Sequence, residues 1–298
     1  MDFRRVNIEG GGFLLQCAQG AVLMPCTLRL LRVVFDHSGY IAGGFAAAVA
    51  RSLLGMGKQP NDLYSNTRRH LGMPRSHPTH MYQNAGCGDI DVWFPDQVSL
   101  DGFMQDERVK SLSDDPRIGR QTTKTGVYEF IIDGDARIQV ITRYLRPMVE
   151  QLQGFDIYNS MLAMTDDQLL VPPEWEWLEQ QRMIHVTTWS SPWTVNRVMK
   201  YFYRKGYQHL TPAAANGFYD AVMAAIEFYK SGDMPKELSD GNKAIILARG
   251  SGKGAQAVFQ KIMPALPTEK LLQLSAFFRA EPTYDLAMQE LHKRMPPR

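Results

Sequence analysis

The sequence predicts an α+β chain: a mixed α/β half built on a small mixed sheet with helices, followed by an α-helical C-terminal domain. Three observations carry this. Short β-rich runs and helical segments alternate from about residue 27 to residue 190. Two β-rich runs, 127–132 and 137–142, are joined by a turn containing Asp133-Gly134-Asp135, a strong hairpin signal. From about residue 192 the apolar residues recur at helical spacing. The expected organisation is an N-terminal extension over 1–26, an α/β domain over 27–190 and a helical domain over 191–298.

The elements follow in order. Residues 1 to about 25 are glycine-rich with mixed apolar content and carry no periodicity that assigns them. Leu28, Leu31 and Phe35 recur at helical spacing and predict a helix that Asp36-His37-Ser38-Gly39 ends. Tyr40-Ile41-Ala42 is a short strand, and Gly43-Gly44 follows it directly. Phe45 to Leu54 is alanine-rich and stops at Gly55, as a helix with a glycine stop does. Residues 56–88 hold Pro60, Pro74 and Pro78 among Asn, Ser and Gly residues, and read as a long insertion. In Asp89 to Phe94, the residues Ile90, Val92 and Phe94 alternate with Asp89, Asp91 and Trp93, which is the period of a strand. A helix is expected over 97–110, another from Pro147 to Leu152, where proline suits the first turn, and a strand over 155–162. Helices are expected over 195–203, 212–230, 254–263, 268–279 and 284–294.

Composition narrows the function classes. The chain has 298 residues, 44% hydrophobic and 21% charged, which is ordinary for a folded protein with a real core. A net charge of +2 gives no global attraction to nucleic acid, so any basic surface must be local. The three cysteines, Cys17, Cys26 and Cys87, form no CxxC pair and read as reduced thiols. No apolar run approaches the roughly 20 residues that cross a bilayer, so no membrane partner is expected and the expected location is cytoplasmic.

The chemistry centres on Asp89 and Asp91. Side chains alternate along a strand, so both carboxylates project from one face. Such a pair is the ligand type that Mg²⁺ prefers, with substrate phosphates completing the shell. Two metal ions there would clamp the attacking and leaving oxygens of a phosphoryl transfer. Gly43-Gly44, between a strand and a helix, lets backbone approach a phosphate closely at a helix N-terminus. Each signal alone has a bland reading, an exposed acidic strand edge or a packing turn. Their combination in one α/β domain points to a nucleotide site.

The run YIAGGFAAAVA followed by DIDVWF resembles the DNA polymerase β-type nucleotidyltransferase superfamily. Its core pattern is a hydrophobic strand, a Gly-Gly or Gly-Ser turn, a helix, then Asp-x-Asp on the next strand. The later run IQVITRYLRPMVEQLQGFDIYNSMLA looks like a version found in bacteriophages and large DNA viruses, which implies a host-cytoplasm location for a phage-encoded chain. The run RVMKYFYRKGY is similar to the helix after the catalytic domain in that group and in tRNA CCA-adding enzymes. The resemblance covers roughly residues 38 to 210. It implies that Gly43 and Gly44 form the phosphate turn and that Asp89 and Asp91 bind Mg²⁺ or Mn²⁺. It implies Asp156 as the third acidic residue, completing metal binding, acting as base, or orienting the sugar as the Asp of the "RDFTIN" segment of CCA-adding enzymes does. Arg197, Lys200, Arg204 and Lys205 would contact the triphosphate, against the alternative of a solvated basic helix face. The superfamily places its Asp pair within about a dozen residues of the glycines. Here about 45 residues intervene: either residues 56–88 are an insertion, or one half of the motif is coincidental.

Three weaker signals have bland readings. His77, His80 and Cys87 match no common zinc framework and read as a basic, histidine-bearing loop with Arg68, Arg69 and Arg75. Arg249 to Gly254 lacks the full phosphate-loop pattern and reads as a turn between helices. Trp175, Trp177, Trp189 and Trp193 read as core packing ahead of base stacking.

The expected activity is nucleotidyl transfer: a nucleoside monophosphate moves from an NTP such as ATP to a hydroxyl of an RNA or tRNA end, a protein or a small molecule. The alternative is a catalytically inactive nucleotidyltransferase-fold protein that binds nucleic acid or serves as a virion-associated interaction protein. Intact Asp89, Asp91 and Asp156 favour the enzyme, because carboxylates crowded without a metal repel each other. The long separation from Gly43-Gly44 favours the alternative.

Overall fold

In its first half the chain lays down strands that are covered on one face by alanine-rich and aromatic helices. The computed structural model describes residues 1–19, 23, 25–56, 89–112, 118–122, 127–132, 137–189, 194, 197–198, 201, 205, 207–215, 217–218, 220–221, 263–277 and 282–294. The expected insertion beyond Met56, the hairpin turn 133–136, most of the helix 254–263, the segment Arg249–Gly254, and Cys87, His77, His80, Trp193, Lys200 and Arg204 lie outside them.

The elements are β1 (Arg4–Asn7), α1 (Phe13–Gln19), α2 (Pro25–Asp36), β2 (Tyr40–Ala42), α3 (Gly44–Leu53), β3 (Ile90–Trp93), α4 (Gln97–Gln105), α5 (Glu107–Ser111), β4 (Ile118–Thr122), β5 (Val127–Ile132) and β6 (Arg137–Ile141). Then come α6 (Met148–Gln153), β7 (Ala163–Met164), β8 (Gln168–Val171), α7 (Trp175–Gln180), β9 (Met183–Ile184), β10 (His209–Leu210), α8 (Thr268–Phe277) and α9 (Pro282–Arg294). The architecture is mixed α+β. Chain contacts divide it into two compact units, Met1–Phe155 with Asn159–Glu176, and Asp156–Tyr158 with Trp177–Arg298.

The first unit holds an eight-stranded sheet in the order β1-β8-β7-β2-β3-β6-β5-β4. β3 and β6 run parallel and the other neighbours antiparallel. One face of β3, β6 and β5 is apolar. Ile90, Val92, Ile138, Val140, Phe130 and Ile132 are all buried there. Phe103 of α4 packs on this side, 5.1 Å from Phe94 and 6.3 Å from Phe130 between ring centroids. α3 packs on β2, β3, β7 and β8. Its run Ala46-Ala47-Ala48 is buried, and side chains that small let the helix come close to the sheet.

Three departures from the sequence expectation have physical causes. The glycine-rich N-terminus contributes β1 at the sheet edge, because it finds a partner in β8, more than 160 residues on (Arg4 opposite Val171). The expected helix 97–110 is two helices. Asp106 takes an extended conformation and its carboxylate accepts the Arg108 backbone N–H at 2.8 Å, so it caps α5 instead of continuing α4. The expected strand 155–162 is a crossing segment. Its middle bonds to residues 185–187, with Thr187 N–H donating to Asp156 O and Tyr158 N–H to His185 O, its end Leu162 O accepts from Gly43 N–H, and Tyr158–Ser160 forms a 3-10 turn.

In the second unit, β9 and β10 pair in parallel. Ile157, Ile184, Val198, Tyr207 and Leu271 belong to one buried cluster there. α8 packs on α9, and Arg294 donates to the carbonyls of Met263, Pro264 and Leu266. Trp175 is buried with its indole N–H donated to Asn159 O, Trp189 packs on the second unit's core, and Trp177 is half exposed. Cys17 and Cys26 are both buried. Among the described residues no helix is long and apolar enough to cross a membrane.

Candidate nucleotide and metal site

The polar face of the sheet is built by the same alternation that builds its core. On β3, Ile90 and Val92 point into the core, so Asp91 and Trp93 point the other way, with Asp89 one step before the strand on Asp91's side. β2 pairs with β3 antiparallel, Tyr40 opposite Trp93 and Ile41 opposite Val92. Continued by one residue, this register sets Ala42 opposite Asp91, and the Gly43 turn follows at once.

Gly43 has φ +89° and ψ −141°, a conformation that residues with a Cβ rarely adopt. Its N–H donates to Leu162 O and its carbonyl accepts from Ala47, so the turn is pinned to the neighbouring strand and to α3. A Cβ at Gly43 would stand 3.7 Å from Asp91 Oδ2 and 3.8 Å from the Phe155 ring. The structure thus brings the glycine turn and Asp91 into contact distance. Phe155 flanks both, and its ring lies 6.0 Å from that of Trp93.

Three residues absent from the sequence-based site share this face. β3 and β6 set Asp91 beside Gln139, and β6 and β5 set Gln139 beside Glu129. Glu129 is buried, and its Oε1 accepts from Arg137 Nη2 and Gln139 Nε2, both at 2.6 Å. Arg137 Nη1 lies 3.9 Å from Asp89 Oδ1. A signal was present in the sequence, since Glu129 is the one acid inside the apolar run VYEFII.

Asp156 belongs to the second unit. Its Oδ2 accepts from Thr194 Oγ1 and from Arg197 Nη1, both at 2.6 Å. Asp156 and Thr194 are buried, while the Arg197 side chain is 56% exposed. Two sequence-predicted residues, Asp156 and Arg197, are therefore brought together as an ion pair. Lys205 is buried, with its ammonium 4.3 Å from the Tyr201 ring centroid, a cation–π arrangement.

Asp89 and Asp91 suit a divalent cation that also takes phosphate oxygens. Residues i and i+2 on a strand are about 7 Å apart at Cα, within reach of one shared cation. Gly43 puts no side chain of its own beside Asp91. Among the described residues no group of three or more His, Cys, Asp or Glu gathers as a metal cluster. A cation here would draw its remaining ligands from substrate and water, as Mg²⁺ commonly does.

No family model matches the chain, and no curated protein matches it. Solved structures do. The Thermotoga maritima CCA-adding enzyme complexed with tRNA aligns with 100% of this chain and 71% of its own, at 14% identity and a TM-score of 0.51. A CCA-adding enzyme in complex with ATP aligns with 99% of this chain and 69% of its own, at 13% identity and a TM-score of 0.51. An apo form of a CCA-adding enzyme aligns with 97% and 69%, at 13% identity and a TM-score of 0.50. The likeness is one of fold.

Proposed function

We propose that this chain is a nucleotidyltransferase that moves a nucleoside monophosphate from an NTP to a hydroxyl acceptor. The observation that carries the reading is the Asp91 carboxylate set against the Gly43 turn, 3.7 Å from where a Cβ would be. A phosphate at that turn meets backbone on one side and carboxylates that hold a cation on the other. Bound Mg²⁺ or Mn²⁺ would neutralise the triphosphate and the charge that develops on the leaving pyrophosphate. Asp89 and Asp91 would hold it. Gly43 and Gly44 would seat the phosphates, and an acceptor hydroxyl would displace pyrophosphate in line at the α-phosphorus.

Asp156 fits an orienting role better than a metal ligand, because its Oδ2 already accepts from Thr194 and Arg197. Arg197, exposed beyond that pair, suits contact with a nucleotide or an RNA backbone. RNA is the favoured acceptor, supported by the fold shared with a CCA-adding enzyme complexed with tRNA.

The second reading is a nucleotide- or nucleic-acid-binding module without catalysis. It is favoured by Gln139, a neutral amide that stands in register with Asp91 on the neighbouring strand and adds no charge to hold a cation.

One experiment separates the two. Labelled NTPs, Mg²⁺ and total RNA are incubated with wild type and with Asp89→Asn/Asp91→Asn. Metal-dependent label transfer that the double variant loses supports the enzyme. Binding of NTP or RNA without transfer supports the binding module, and binding of neither, with no transfer, removes both.

A further inference from the structure

We propose that Glu129 is a positioning residue: its buried carboxylate neutralises Arg137, so that Arg137 aligns Asp89 without repelling the cation that Asp89 and Asp91 bind. This rests on the metal-site reading of the Asp pair and adds to it a buried charge that keeps the pair fit for a divalent cation.

The geometry is a chain of three groups across neighbouring strands. Asp89 faces Arg137 across the parallel pair β3 and β6, with Oδ1 and Nη1 3.9 Å apart. Arg137 turns its other terminal nitrogen, Nη2, to Glu129 Oε1 at 2.6 Å. That same oxygen accepts from Gln139 Nε2 at 2.6 Å, and Gln139 is the residue in register with Asp91. Glu129 thus holds one residue beside each member of the acidic pair.

Glu129 itself is poorly placed to be a ligand. It lies two strands from Asp91, about 10 Å at the usual strand spacing. Its side chain is 1% exposed and lies under Arg137 and Gln139. A carboxylate buried that deeply is retained only with partners, and here its partners lie on the site side.

The electrostatics follow from the charges. Asp89 and Asp91 offer a cation two negative charges. An uncompensated guanidinium 3.9 Å from Asp89 would cancel about half of that and would repel the cation directly. Glu129 cancels the guanidinium instead. What remains is a nearly neutral pair beside the Asp89 carboxylate, which draws it by charge without setting a full positive charge against the cation. Arg137 suits this role, because its planar fork can address two carboxylates at once.

A charge cycle tests this by Mn²⁺ binding, read by electron paramagnetic resonance on the intact chain, with folding followed by circular dichroism. Glu129→Gln keeps shape and an acceptor oxygen but exposes the Arg137 charge, so it weakens Mn²⁺ binding on the order of tenfold. Glu129→Gln/Arg137→Gln removes both charges and brings affinity back to within about twofold to threefold of wild type. Glu129→Asp keeps the charge and stays nearer wild type than Glu129→Gln. A merely structural role for Glu129 predicts that the double variant is no better than the single. That result, or unchanged affinity in Glu129→Gln, overturns the proposal. Failure of the metal-site reading is distinct, because it is seen without any change at Glu129: wild type would then bind Mn²⁺ no better than Asp89→Asn/Asp91→Asn, and both ideas would fall.

Discussion

The Asp91 carboxylate stands directly over Gly43, with Oδ2 3.7 Å from the point where a Cβ would be. That distance is ordinary van der Waals contact, so an added methyl would meet little steric resistance. The backbone would resist it, since φ is +89°. Gly43→Ala is expected to cost about 1–3 kcal/mol of stability in urea unfolding, through strain. It should also weaken NTP binding, because the new methyl occupies the space beside Asp91. A variant with unchanged stability would mean that the turn relaxes freely.

Removal of like charges should stabilise the metal-free protein. Asp89→Asn/Asp91→Asn is expected to unfold at a Tm equal to or above that of wild type when divalent cations are chelated. Saturating Mg²⁺ with NTP should raise the wild-type Tm by a few degrees through binding linkage and leave the double variant unmoved. Differential scanning calorimetry in chelator and in Mg²⁺ gives both results. An equal ligand shift in the two proteins would count against the Asp pair as the site.

Asp156 and its two partners, Thr194 and Arg197, should differ in a set order. Asp156→Ala leaves the buried Thr194 hydroxyl without its acceptor and is expected to cost about 1–3 kcal/mol. Thr194→Val removes one hydrogen bond and should cost about 1 kcal/mol. Arg197→Ala should cost less than about 1 kcal/mol, because an exposed partner is screened by water. Yet Arg197→Ala should reduce nucleotide or RNA affinity the most, which a binding isotherm at low salt would record.

Asp106 ties α4, α5 and His37 together, and its response to pH has a definite sign. The Arg108 side chain, then His37, holds its carboxyl well below the ordinary aspartate range. Stability from a carboxyl lowered in the folded state is fully present above the unfolded pKa of about 4 and is lost as pH falls toward the folded value. Asp106→Asn keeps a helix-capping side chain but loses the charge. It should therefore be less stable than wild type at pH 7, with the gap closing below about pH 4. A constant gap in acid and neutral solution would show that the charge is not what Asp106 contributes.

Much of the site was legible in the sequence because strand alternation is local. The run DIDVWF places Asp89 and Asp91 on one face, and the burial of Ile90 and Val92 follows from the same period. β2, the Gly43 turn and α3 were legible for a similar reason, a three-residue strand, a Gly-Gly step and a run of alanines. Glu129, Arg137 and Gln139 were not, because their relation to the Asp pair is set across strands. It needs the parallel register of β3 on β6, between which about 45 residues of chain intervene.

The sequence by itself determined the periods: which residues of each strand face the core, where the glycines break the chain, and the helical runs that the described residues show at Thr268–Phe277 and Pro282–Arg294. Tertiary structure alone decided the partners. It paired the N-terminal strand with β8, took Asp156 out of the sheet to Thr194 and Arg197, and set a buried Glu129 behind Arg137 at Asp89. The physical reason is that side-chain periodicity is written within a segment. Register, burial of charge and the destination of backbone hydrogen bonds depend on segments that meet only when the chain has folded.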